Sequence, residues 1–409
     1  MFHFTRAAVT DSGSEKTTAL RWRPGHLGSA RDSRGERRLG SRYNFPVKIT
    51  VVGAGIIGCA VAHELASRGA SVHIIDMRGT GAGATQASAG ILAPYVEGHS
   101  EALLRIGVMS LSLYDAFIAQ VMSDAGRAVE YERLGTLQIA LNSAEATELE
   151  AAASRYRDGG IQHTLMTGDE ARRCEPLLSR NVVAGLLMTQ HSYVRAGELT
   201  AALSQAATRR GVTTTVAPVE RLEERPNGVA AVTAAGSIEG DAVVVAAGSW
   251  TSTLAEPSIV PPPVRPVRGQ LLQLHFDRRP LSHIVWGSCY LVPWRDGSLL
   301  VGATVEDAGF EEHATAAGVT QLLEGAAALM PASLNARFEA VRVGLRPGTP
   351  DELPLIGPSS TMRGVYYAAG HYRNGVLLSP LTAKLVADLV IDGRRTPELE
   401  LMRPDRFGL

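Results

Sequence analysis

The sequence predicts an α/β fold in two parts: a βαβ-based domain that is discontinuous along the chain, and a second α+β domain built on an antiparallel sheet. Three observations predict it. A strand–helix–strand pattern opens the organised sequence at residues 47–76, a block of antiparallel character fills residues 269–304, and a strand followed by a helix returns at residues 364–392. Alternating strands and helices argue for a parallel sheet, whereas successive strands joined by turns argue for an antiparallel one.

Lys48-Ile49-Thr50-Val51-Val52-Gly53 is a short apolar run ending in glycine, the pattern of a buried parallel strand. Residues 56–68 carry Ile57, Val61 and Leu65 four apart on one helical face, and Gly69 supplies a left-handed stop. Residues 71–76 make the second strand. Small residues dominate 79–90, followed by amphipathic helices over 101–124 and 143–158. A helix over 196–210 leads to a strand at 212–216, and 240–247 is another buried strand. Pro261-Pro262-Pro263 marks a crossing between domains. Strands follow at 269–276, 288–294 and 298–304, the last two flanking Arg295-Asp296-Gly297, a strong hairpin signal. A helix over 319–330, strands at 338–346 and 364–369, and a helix over 378–392 complete the order. The first domain is therefore expected to comprise 47–95, 185–260 and 340–392, the second 96–184 and 261–339, with 393–409 as a C-terminal tail.

Bulk properties narrow the function. The chain has 409 residues, 45% apolar and 20% charged, which suits a globular protein of more than one domain. Its net charge of −1 offers no field for nucleic acid or an anionic membrane. Its 37 arginines against only Lys16, Lys48 and Lys384 read as coding bias, not as a binding surface. Cys59, Cys174 and Cys289 are far apart, which argues against a disulfide framework or a metal site and favours the cytoplasm. No stretch approaches about 20 continuous apolar residues, so no transmembrane segment is expected. Residues 1–46 are rich in Arg, Ser and Gly without periodicity, and are expected to be a disordered or spurious extension.

Gly53-Ala54-Gly55-Ile56-Ile57-Gly58 is a GxGxxG run between strand and helix, the mark of a Rossmann-like dinucleotide site. Gly53 permits the tight turn, Gly55 lets the backbone approach a pyrophosphate, and Gly58 lets helix and strand pack closely. Asp76, eighteen residues after Gly58, is placed to accept both ribose hydroxyls. The fingerprint alone does not separate FAD from NAD. A buried strand running into Gly248 and a strand–glycine–helix junction at Gly370–Gly375 tilt it to FAD, because both return more backbone N–H groups to the nucleotide.

At these residues the chain resembles the D-amino-acid oxidase superfamily of flavoenzymes, and within it the glycine-oxidase branch of the thiamine pathway. The resemblance runs from Lys48 to Asp392. It rests on Gly53–Gly58, Ala84–Leu92, Pro266-Val267-Arg268-Gly269-Gln270, Cys289-Tyr290-Leu291-Val292-Pro293, Gly344-Leu345-Arg346-Pro347-Gly348-Thr349 and Gly370-His371-Tyr372-Arg373-Asn374-Gly375. It implies that Ile56 and Ile57 lie at the pyrophosphate, Asp76 and Met77 at the adenosine, and Val219 at the adenine through its backbone. Ala84, Thr85, Ala89, Gly90 and Ile91 would line the phosphates and flavin. His371, Tyr372, Arg373, Asn374, Gly375, Val376 and Leu377 would wrap the flavin's pyrimidine end. Relatives with covalent flavin attach it through a cysteine just after the substrate arginine's strand; residues 347–351 contain none, so FAD is expected to be non-covalent. Asp76 stands where Glu is commoner, and Ala84 where a hydroxyl residue is commoner.

An amine oxidase of this kind needs orientation more than acid–base groups, because the flavin accepts the hydride. The economical handle is the substrate carboxylate, gripped by a guanidinium fork. Arg346 precedes Pro347, which favours extended backbone, and alternation puts Arg342, Gly344 and Arg346 on one face, with Gly344 leaving space for a ligand. Tyr290 is expected to donate to the same carboxylate, and the Arg373 backbone carbonyl to accept from the substrate amine. His191 and His371 need no acid–base role. The expected reaction is oxidation of glycine or a small D- or N-methyl amino acid to its imine by O2. A carrier-linked D-amino-acid dehydrogenase and a non-catalytic flavin-binding assembly or sensor protein stay open, as does a homo-oligomer.

Overall fold

The computed structural model describes residues 46–97, 100–254 and 261–409, so the expectation for residues 1–46 lies almost wholly outside it. β1 (Lys48–Val52), α1 (Ile56–Ser67) and β2 (Ser71–Asp76) form the expected βαβ unit, with Val52 level with Ile75 in a parallel pair. β1 is buried at four consecutive positions, as a strand covered on both faces must be. Gly69 ends the helical segment at φ 87°.

α2 (Glu101–Ala125) starts where the Ser100 side chain accepts from Leu103 N–H and stops at Gly126, φ 62°. By length and composition it is apolar enough to cross a membrane, with mean hydropathy 1.5. In the fold its inward stripe, Ile106, Tyr114, Ile118 and Val121, joins the main core. β3 (Thr136–Ala140), α3 (Ser143–Asp158), β4 (Thr164–Thr167) and β5 (Ala184–Met188) follow, then α4 (Ala196–Arg209), β6 (Thr213–Val216) and β7 (Ala242–Val245). Further strands of the two large sheets are β8 (Arg265–His275), β9 (Ile284–Trp286), β10 (Tyr290–Pro293), β11 (Ser298–Gly302), β12 (Arg337–Gly348), β13 (Leu355–Pro358) and β14 (Val365–Ala369). α5 (Ala316–Leu329) precedes β12, and α6 (Gly375–Asp392) follows β14.

Two large sheets result. The first has order β13-β14-β7-β1-β2-β6, parallel except at β13. The second, of eight strands, has order β12-β8-β11-β10-β9-β3-β5-β4 and is antiparallel except between β9 and β3. The Asp296-Gly297 turn joins β10 to β11 as expected, with Gly297 at φ 90°. Sheet membership departs from the sequence boundaries at two strands. β12 and β5 belong to the eight-stranded sheet, although limits at 340 and 185 grouped them with the nucleotide-binding part. The reason is non-local pairing: β12 runs along the whole of β8, from Arg265 opposite Gly348 to His275 opposite Arg337. A three-stranded meander at Arg221–Arg225, Gly228–Thr233 and Gly236–Gly240 was not expected at all. The C-terminal tail is packed, with Leu399, Met402 and Leu409 buried.

Candidate active site

The parallel strands β1, β7 and β14 end together, and each runs into a glycine: Gly53 (φ 112°), Gly248 (φ 56°) and Gly370 (φ 72°). Ligands of open α/β sheets bind outside such carboxyl ends. A Cβ on Gly58 would lie 1.9 Å from the Gly53 carbonyl oxygen, so Gly58 serves close packing. A Cβ on Gly55 would meet only the Thr85 hydroxyl, at 3.6 Å, and one on Gly248 nothing within 4 Å. The cradle is thus open where a phosphate must approach and tight where helix meets strand. These residues fit a dinucleotide such as FAD.

Asp76 sits at the end of β2, but its carboxylate is already engaged. Oδ2 accepts from Ala54 N–H at 2.7 Å, and Oδ1 from the N–H groups of Arg78 and Gly79, each at 2.7 Å. A carboxylate has about four lone-pair sites, so one remains for a ribose hydroxyl, not the two foreseen. Asp76 therefore ties the glycine loop to the following turn as well. Thr85, buried, accepts from Ile56 N–H at 3.1 Å at the start of α1. Met77 is exposed, and Val219 lies beyond β6, where Ala217 N–H bonds the Asp76 carbonyl. Gly90 (φ 71°) brings Ala89 and Ile91 against the face of the eight-stranded sheet, where they pack with Leu271, Val292, Tyr193 and Tyr290.

β12 is the strand on which the pieces meet. Ser249 Oγ donates to the Leu345 carbonyl at 2.8 Å, and Tyr372 N–H to the Pro347 carbonyl at 2.9 Å. Gly344 faces Ala84 and Ala87, and a Cβ there would come 2.8 Å from Ala87 Cβ. The space over Gly344 is therefore occupied by the Ala84–Ala87 turn, a correction to its expected use as ligand room. Ladder registry places Gly269 opposite Gly344, and aligns Arg342, Leu271, Gly302 and Tyr290 across four strands. Arg346, two residues beyond Gly344, shares that face.

The half-buried Arg346 guanidinium lies over Gly269, whose absent Cβ is what makes room for it. Its Nη1 donates to the carbonyls of Thr304 at 3.0 Å and Arg268 at 3.4 Å. Among the described residues it pairs with no carboxylate. The Tyr290 ring lies over Gly302 on the same face and packs against Trp286 at 5.4 Å. Arg373 is exposed, its guanidinium 5.1 Å from the centre of the Tyr372 ring. Tyr372 takes the left-handed region at φ 47°, and Asn374 opens α6. Sequence reasoning missed the anchors of that helix start: Tyr114 donates its hydroxyl to the Val376 carbonyl, and Ser110 to that of Leu377 at 2.6 Å. Their signal was two polar side chains four apart on the buried stripe of α2.

Burial holds His191 and His371 neutral, pushing each imidazole down to about 3. His371 Nε2 is 3.0 Å from Thr382 Oγ1, and His191 stacks on Tyr95 at 5.7 Å. The folded pKa is below the unfolded value near 6.5. The stability is fully present above that value and is lost as pH falls from about 6.5 towards 3, at about 1.4 kcal/mol per unit for each histidine. From pH 7 to pH 5 the urea midpoint of wild type should therefore fall relative to that of His191→Phe. Parallel declines would show that His191 is protonated in the native state.

A family model described as FAD dependent oxidoreductase matches residues 48–389. A glycine oxidase of Geobacillus kaustophilus is 34% identical over 347 residues, covering 84% of this chain and 92% of that protein. The crystal structure of glycine oxidase from that organism superposes with TM-score 0.82 at 33% identity, over 86% of this chain and 96% of the other. The bifunctional protein ThiO/ThiG of Trichormus variabilis is 34% identical over 88% of this chain, which spans 55% of that longer protein. With the glycine cradle set at the carboxyl ends of its parallel strands, and with this likeness along most of its length, the chain belongs to the FAD dependent oxidoreductase family.

Proposed function

We propose that the protein oxidises glycine, or another small D- or N-methyl amino acid, to its imine, and that the imine serves thiamine thiazole synthesis. The observation that carries this reading is Arg346: a half-buried guanidinium that among the described residues pairs with no carboxylate, held over Gly269 from the strand that bonds the segments after Gly248 and Gly370. Such a group is matched to a ligand carboxylate. FAD, held at the Gly53, Gly248 and Gly370 junctions, would supply the hydride acceptor and the route by which the two electrons reach O2 as hydrogen peroxide. The protein supplies position. Arg346 grips the carboxylate, Tyr290 donates to it from the neighbouring row, and the Arg373 backbone carbonyl accepts from the substrate amine. The names of the relatives, glycine oxidase and ThiO/ThiG, support the substrate class and the pathway.

The test is anaerobic bleaching of the holoenzyme's flavin across a panel of amino acids and simple amines, followed by O2 uptake. Glycine or a small relative should bleach it and consume O2. Bleaching without O2 uptake would point to a carrier-linked dehydrogenase, and no bleaching by any amine to a non-catalytic flavoprotein. FAD is bound without a covalent bond in this reading, because 347–351 has no cysteine. Acid precipitation should leave a colourless pellet under a yellow supernatant; a yellow pellet would overturn it. The cytoplasm is proposed on the three free cysteines, Cys59, Cys174 and Cys289.

A further inference from the structure

Arg346 owes its orientation to two backbone carbonyls, and both belong to residues gathered by one carboxylate on the opposite side of the sheet. Along β8, Gly269 faces the guanidinium, so Arg268 and Gln270 project to the reverse face. There Glu306 collects them. Its Oε2 accepts from Arg268 Nε at 3.0 Å and from Arg268 Nη2. Its Oε1 accepts from Gln270 Nε2 at 2.7 Å and from the Thr304 hydroxyl. The backbone repeats the link: Glu306 N–H donates to the Arg268 carbonyl at 3.0 Å, the same oxygen that Arg346 reaches, and Arg268 N–H donates back at 2.9 Å. The Thr304 hydroxyl also accepts from Gln270 N–H at 2.9 Å, and Gln270 is locked to Thr315 by two bonds of 2.9 Å. Arg268, Gln270 and Thr304 are all buried. Burial raises the Glu306 pKa, but the bonds from Thr304, Gln270 and Arg268 outweigh it and hold the carboxyl below its ordinary range.

We propose that Glu306 is a positioning residue for the substrate carboxylate clamp, acting through the Arg268 and Thr304 carbonyls that aim Arg346. The inference rests on the reading of Arg346 given above. An ionised carboxylate can take four donors at once, whereas an amide cannot accept through its nitrogen. Glu306→Gln must therefore turn at least one of Arg268, Gln270 and Thr304 away and slacken both carbonyls.

The test uses the FAD-loaded enzyme with acetate as a non-reacting carboxylate, followed by its perturbation of the flavin spectrum. Glu306→Gln should raise the acetate Kd and the KM for glycine about tenfold or more, the scale of a lost bond to a charged group. The kcat at saturation and activity toward ethylamine should change less than about twofold on the same scale. If Glu306→Gln fails to load FAD, Thr304→Val carries the same prediction, since it removes the hydroxyl that ties Thr304 to Glu306 and to Gln270 N–H and leaves the carboxylate in place. Arg346→Ala is run alongside. If it abolishes acetate binding while Glu306→Gln and Thr304→Val bind acetate as wild type does, the inference fails and the clamp survives. Equal losses toward glycine and ethylamine would reduce Glu306 to a structural role. If Arg346→Ala itself binds acetate normally, the clamp fails and the inference with it.

Discussion

Arg346→Ala is expected to cost about 2–5 kcal/mol in kcat/KM for glycine, the range for truncating one partner of a buried charge pair. The residue lies on β12 of the eight-stranded sheet and its guanidinium bonds the Thr304 and Arg268 carbonyls, not a glycine loop, so FAD content and the resting spectrum should change little. Arg346→Lys should recover only part of the loss. An ammonium cannot reproduce the fork, and its shorter donor set cannot bond the Thr304 and Arg268 carbonyls while gripping a carboxylate. Amines without a carboxylate, poor substrates for wild type, should be far less affected. The measurement is steady-state kinetics with glycine and ethylamine in parallel. Equal losses toward both would assign Arg346 to the fold or the flavin.

Gly58→Ala is expected to be as damaging, at the cofactor. Its new methyl would fall 1.9 Å from the Gly53 carbonyl oxygen and 3.5 Å from Ala246 Cβ, so backbone must move. Forcing a methyl into packed backbone costs about 1–3 kcal/mol or more, and the movement separates α1 from the turn that presents its N-terminus. Both apoprotein stability and FAD retention should fall. Gly55→Ala is the informative contrast. Gly55 has φ −69°, which any residue adopts, and its Cβ would meet only the Thr85 hydroxyl. That variant should keep apoprotein stability and lose FAD affinity alone, because the methyl stands where the pyrophosphate approaches. Thermal melts of both apoproteins and FAD titrations separate the cases. A Gly58→Ala apoprotein as stable as wild type would show that the loop relaxes freely.

What the sequence revealed, and what it did not, follows from the range of the interactions. The βαβ unit was legible because strand, glycine turn and helix are specified within residues 48–76. So was the β10–β11 hairpin, whose turn residues carry their own geometry. The eight-stranded sheet was only half legible. β3, β4 and β5 pair with one another and join the rest only through β3, whose partner β9 lies more than a hundred residues on, and no local pattern shows that β12 will lie along β8. The meander escaped because Arg221-Leu222-Glu223-Glu224-Arg225 has little apolar alternation. At the site, the strand face of Arg346 was readable from its spacing to Arg342 and Gly344. The role of Gly269 was not, since a glycine's purpose in a strand depends on what crosses it. Asp76 was placed correctly at the strand end, but its three backbone donors are set by loop closure, which spacing does not encode.

The strand order of the parallel sheet also sets a timetable. β14 pairs with β7, and the junction after it, at Gly370, completes a cradle begun at Gly53. At roughly 5–20 residues per second of synthesis, about 15–60 s separate the emergence of the first βαβ unit from that of β14. Once made, β7 is an open sheet edge until β14 emerges to pair with it. The nascent chain thus carries its nucleotide fingerprint early and its closing strand last, which makes cofactor loading a report on whether nearly the whole polypeptide has been made and paired.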